Sequence, residues 1–208
     1  MTTLAPWLAS MYRLYPGING GTHYWSVSWL PQSQFAEMQG NLNDDSELLG
    51  AVKRILAARS QAVPADVALA ASADDALFAT LCYLVANGDL RMLSVWSPTF
   101  ALQLLQTLPL WADEIAAVLK SGKWLARSAA LERLQAPYAP GRAAELRRVL
   151  ALHPSALATE LWPNLALVSA WDTADAAPWA RQLRACFPEA AFEGKGLWAT
   201  EGVVTIPV

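Results

Sequence analysis

Thr200 and Glu201 stand side by side in the stretch Gly194–Val208, where glycines punctuate two short apolar runs. Such a pair offers a hydroxyl to a phosphate and a carboxylate to Mg2+, an ion that binds hard oxygen ligands and borrows only one or two of them from protein. Gly196, Leu197, Trp198, Ala199 and Gly202 form the turn that delivers the pair, and together these seven residues are the candidate cofactor-binding segment. They amount to half of a nucleotide site, with Glu201 as the metal ligand and the other half supplied from elsewhere. The plain alternative is a turn threonine beside a solvated glutamate. Lys195, in the same glycine turn, is expected at the surface rather than on a phosphate, as most lysines are.

Other chemistry-bearing residues are weaker candidates. His23 and His153 have no nucleophile near them in sequence and read as structural or exposed. Asp74 and Asp75 follow Ser72 and read as helix-capping acids, and Asp44 and Asp45 as loop carboxylates. Ser97 lacks a Gly-x-Ser-x-Gly setting; followed by Pro98, it reads as a helix cap. Cys82 and Cys186 have no ligand spacing and read as buried apolar thiols.

The elements that must position these residues alternate along the chain. Leu4, Trp7, Leu8, Met11, Leu14 and Tyr15 recur at helical spacing up to Pro16. His23 to Trp29 alternates as a strand does, 31–47 reads as a surface loop, and 48–58 as a helix. Helices are then expected over 76–85, 99–108, 111–119, 129–134, 142–152 and 176–187, the last with Pro178 in its first turn. Strands are expected over 90–96, 165–171, 191–193 and 203–206. The run at 165–171 is apolar throughout, as strands buried on both faces are. Strand and helix in alternation predict an α/β fold, a mixed or parallel sheet flanked by helices, with right-handed crossovers between parallel strands.

Of the 208 residues, 54% are hydrophobic and 16% charged, and ten are tryptophan. So apolar a composition predicts surface that awaits a partner, with self-association when the chain is alone. A net charge of −3 gives no footprint for nucleic acid. No apolar run reaches membrane-spanning length and no signal peptide opens the chain, so no membrane is expected and a cytoplasmic protein is the default.

Five segments in order carry a family resemblance. They are His23-Tyr24-Trp25-Ser26-Val27-Ser28, Asp44 to Gly50, Ser94-Val95-Trp96-Ser97-Pro98-Thr99-Phe100, Leu161 to Leu165, and Lys195 to Gly202. The chain resembles the auxin-responsive acyl-acid amido synthetases, particularly their bacterial members, within the firefly-luciferase-like adenylate-forming enzymes. The resemblance implies ATP- and Mg2+-dependent activation of a small carboxylic acid as its adenylate, then transfer to an amine such as an amino acid. It implies catalytic roles for Thr200 at the α-phosphate and Glu201 at the metal. Tyr24, Trp25, Trp96 and Phe100 are the expected walls of the acyl pocket, with core packing as the alternative. Leu197 stands where plant members carry tyrosine, and the family's glycine-rich phosphate loop and mobile C-terminal domain are not found in this sequence. The expectation is therefore a single partial adenylation domain over 1–208, inactive alone. The alternative is a non-catalytic binding or interaction module, or half of a split enzyme completed by a second polypeptide.

Overall fold

The computed structural model describes residues 4–26, 60–195, 198–199 and 202–203. Helix α1 (Leu4–Leu14) and a 3-10 turn (Pro16–Ile18) lead into strand β1 (Thr22–Trp25). The first expected strand is confirmed as far as Trp25; its remainder from Val27, the loop at 31–47 and the helix at 48–58 lie outside the described residues.

Helix α2 (Ala73–Ala86) follows because Ser72 caps it reciprocally: its Oγ accepts from the Asp75 amide at 3.1 Å and donates to the Asp75 carboxylate at 2.6 Å. The helix is apolar nearly all round, from Ala76 through Val85, and is accordingly the buried centre of its layer. Strand β2 (Leu90–Ser94) then leads into α3 (Pro98–Thr107), followed by α4 (Ala112–Ser121), α5 (Pro140–Leu152) and the short α6 (Leu157–Leu161). Strand β3 (Leu167–Ala170) is buried at every position, as its sequence predicted. Helix α7 (Ala177–Cys186), with Pro178 in its first turn, precedes β4 (Ala191–Gly194). A separate antiparallel pair, β5 (Trp198–Ala199) and β6 (Gly202–Val203), comes last.

Four expectations are corrected. Ser97 occupies the N-cap position of α3, but its hydroxyl pairs with Thr99 Oγ1 at 2.6 Å and caps no backbone amide. Residues 129–134 form turns rather than a helix. Arg127 is bound there to Asp75 at 2.8 Å and Glu114 at 2.9 Å, and Trp124 Nε1 donates to the Leu134 carbonyl at 2.7 Å, so Leu131 and Leu134 are buried by a tight loop. Leu14, on the predicted apolar stripe of α1, is 62% exposed. Cys186 is half-buried, whereas Cys82 is buried and its thiol pushed up by desolvation.

β1 to β4 form one sheet in chain order, every neighbouring pair parallel. Right-handed crossovers between strands added in that order all fall on one side of the sheet. The main core matches this: Tyr24, Leu93, Val168 and Ala170 from one face of the sheet pack with residues of α2 to α7. The opposite face carries a smaller core of Met92 and Leu167 against Met11 of α1 and Ile18. Gly17 allows that approach, since a Cβ there would lie 2.8 Å from Ala166 Cβ. His23 locks it: its Nε2 donates to the Ile18 carbonyl at 2.8 Å and its Nδ1 accepts from Tyr12 at 3.3 Å. No helix among the described residues is long and apolar enough to cross a membrane.

Candidate functional site at the carboxyl edge of the sheet

In α/β folds ligands bind outside the carboxyl ends of the parallel strands. The register builds a transverse row at that end: Trp25 is opposite Ser94, Ser94 opposite Ser169, and Ser169 opposite Glu193. Strand alternation turns all four toward the α1 face, and Trp96, Trp171 and Lys195, each two residues further on, follow the same parity. The ladder continues to carry them, with Trp171 N–H donating to Trp96 O at 3.0 Å and Lys195 N–H to Ala170 O at 2.9 Å.

Lys195 is the correction that matters most here. It is half-buried, its Nζ donates to Ser94 Oγ at 2.9 Å, and the amine lies 4.4 Å from the Trp96 ring centroid and 5.9 Å from that of Trp25. Burial pulls the amine down to about 8, against the opposing pull of the Glu193 carboxylate. Trp96 and Trp171 meet at 5.7 Å between centroids, and both are partly exposed, 37% and 40%. Ser169 is fully buried and its hydroxyl has no hydrogen-bond partner among the described residues. Gly194 completes the edge by lacking a side chain: a Cβ would come within 2.3 Å of the Asp172 carboxylate, which Arg184 holds at 2.9 Å.

The residues expected from sequence divide accordingly. Trp25 and Trp96 are brought together around Lys195. Tyr24 is buried on the opposite face, and Phe100 on α3 packs against the main core, so neither joins them. Gly196, Leu197, Thr200 and Glu201 lie outside the described residues, whereas the backbones of Trp198 and Ala199 form β5 and that of Gly202 enters β6. Sequence reasoning did not single out Ser94, Ser169, Trp171 or Lys195 as a group. The signal was available in the period of two: each lies on one parity at the end of a strand, and parallel order stacks those ends.

Among the described residues no group of three or more His, Cys, Asp or Glu is set to hold a metal. His153 is exposed, and Asp75 is engaged by Ser72 and Arg127, so both keep the structural reading. A depression of about 480 Å³ lined by Pro64, Tyr83, Arg133 and Tyr138, among others, shares no residue with the sheet edge.

The chain matches the family model described as the GH3 family N-terminal domain over residues 6–192. Its fold is similar to that of a solved GH3.15 acyl acid amido synthetase, with a TM-score of 0.66 at 14% identity, covering 99% of this chain and 40% of the other. It is also similar to AtGH3.15 acyl acid amido synthetase in complex with 2,4-DB, with a TM-score of 0.60 at 15% identity over 95% of this chain and 37% of the other. The chain thus spans about two-fifths of the length of these solved proteins. No curated protein matches the chain in sequence.

Proposed function

The chain belongs to the GH3 family, and on that premise we propose that it is the acid-binding portion of a cytoplasmic, ATP-dependent acyl acid amido synthetase. The observation that supports this most is the carboxyl edge of the sheet. One amine, two serine hydroxyls and three indoles converge there, immediately before the segment Gly196–Gly202. Pockets for small organic acids have this composition, mostly apolar with a few placed polar groups. The related protein solved in complex with 2,4-DB fits a small carboxylic acid as the ligand class.

In this reading ATP supplies the adenylyl group that activates the acid's carboxyl. Thr200 and Glu201 are the residues of this chain for its phosphate and for Mg2+. The described residues orient the acid and keep water from it: Trp25 and Trp96 flank the amine, while α1 covers the sheet face behind it. The coverage of two-fifths favours a chain that binds acid but turns over only with the remaining parts of such an enzyme, from its own continuation or a second polypeptide.

Calorimetry with aromatic carboxylic acids and with ATP and Mg2+, alongside pyrophosphate release, tests this reading. Acid binding without sustained release is expected, with ATP binding weakened by Glu201→Ala. A chain that binds neither acid nor nucleotide overturns it, leaving a non-catalytic interaction module.

A further inference from the structure

We propose that the depression of about 480 Å³ between the 3-10 turn Ala65–Leu69 and the loop that leads into α5 is a second binding site, and that it takes a small zwitterion with an apolar body, a free α-amino acid or a dipeptide. It shares no residue with the carboxyl edge of the sheet, so it does not depend on the amido-synthetase reading. Its volume falls within the roughly 300–1,000 Å³ of small-molecule sites.

Two opposite charges line it. Asp66 comes from the 3-10 turn and Arg133 from the loop; both are exposed, and neither side chain forms an ion pair or hydrogen bond among the described residues. Arg127, earlier in the same stretch, is by contrast already held by Asp75 and Glu114. A guanidinium presents a fork of donors that matches a carboxylate, and a carboxylate accepts from an ammonium. Ligands of a single sign are disfavoured here, because a polyphosphate drawn to Arg133 meets the Asp66 carboxylate and a polyamine drawn to Asp66 meets the guanidinium. A molecule carrying both charges answers both.

Tyrosine and proline rings make up much of the remaining lining, and they are held in place. Tyr83 of α2 donates its hydroxyl proton to the Gln135 carbonyl at 2.5 Å and meets the Trp124 ring edge-on at 5.9 Å. Burial pushes that phenol up to about 12, so it keeps the proton it donates. The Trp124 indole donates to the neighbouring Leu134 carbonyl at 2.7 Å, which pins the loop backbone at two consecutive residues. Tyr138 is 70% exposed, and its Cβ would lie 3.3 Å from a Cβ placed on Gly122, the left-handed residue that ends α4, so the ring is backed by the end of that helix. Pro64 and Pro137 add two rigid rings. Walls already in place leave less to be ordered on binding, and such rings suit an apolar side chain.

The test is calorimetry, with phenylalanine and phenylalanyl-leucine titrated into the 208-residue chain and phenethylamine, which lacks the carboxylate, as control. Both zwitterions are expected to bind more tightly than the amine and to raise the melting temperature, the tighter of the two identifying the source. Arg133→Met and Asp66→Asn should each weaken them about tenfold, the worth of one charge-assisted hydrogen bond, and leave aromatic acids at the sheet edge unaffected. Asp66 and Arg133 are exposed, so these variants are expected to fold, and their melting temperatures without ligand verify it. Zwitterion affinity unchanged in both variants, or equal to that of phenethylamine, overturns the proposal. So does a loss that follows Lys195→Met instead, which would put the zwitterion at the sheet edge.

Discussion

Lys195 costs the fold stability where it stands. Burial lowers its amine to about 8, from the 10.5 it keeps when solvated in the unfolded chain. Between those two values the unfolded state binds more protons, so stability rises with pH across the window; below about 8 the folded state carries the whole cost of a buried charge. Lys195→Met is therefore expected to melt at a higher temperature than the unaltered chain near neutral pH, with the gap closing toward pH 10.5. Thermal melts across that range check it, and parallel profiles would contradict the assignment. The sequence did not disclose this residue's role, because a lysine between two glycines has the local signature of an exposed turn. Its burial comes from Ser94, Trp25 and Trp96, all distant in sequence. Arg127 was hidden for the same reason: its partners Asp75 and Glu114 and the Phe78 ring, 4.2 Å from its guanidinium, lie on two other helices or their first turns.

Helices whose ends are written locally were legible. Ser72 with Asp75, Pro98 at the start of α3 and Pro178 in the first turn of α7 all stand where the reading set them. The stretch 129–134 misled because apolar spacing over so short a run does not distinguish a helix from a tight loop burying the same side chains. What no local pattern shows is how closely α1 and its following turn approach the sheet. Gly17 sits against Ala166, just before β3, so closely that a Cβ added to it would lie only 2.8 Å from the Ala166 Cβ. Gly17→Val is expected to push the turn away from Ala166, uncover Met92 and Leu167, and destabilise the fold by about 1–3 kcal/mol. Urea unfolding monitored by circular dichroism measures this. A change within a few tenths would mean that α1 is not fastened through this contact.

A mixed or parallel sheet flanked by helices was the most legible feature of the molecule, because alternating strand and helix patterns leave few topologies; that it is parallel throughout and lies between unequal cores came only with the structure. Which parity faces α1, and hence which residues share the carboxyl edge, required the register. The sheet also has a consequence in time. β3 pairs with β4 across the single helix α7, Leu167 opposite Ala191, whereas β2 reaches β3 only across four helices, Met92 opposite Leu167. Closing the longer loop costs about 1 kcal/mol more chain entropy, and its contacts are less local, so the β3–α7–β4 corner is expected to form first. Lys195 belongs to that early corner and Ser94 to the strand that docks on it later. In refolding from denaturant, helical circular dichroism should recover before the Trp96–Trp171 fluorescence contact closes. For much of its folding, the amine that ends up between indoles would stand in open water, and its descent in pKa would mark the final step.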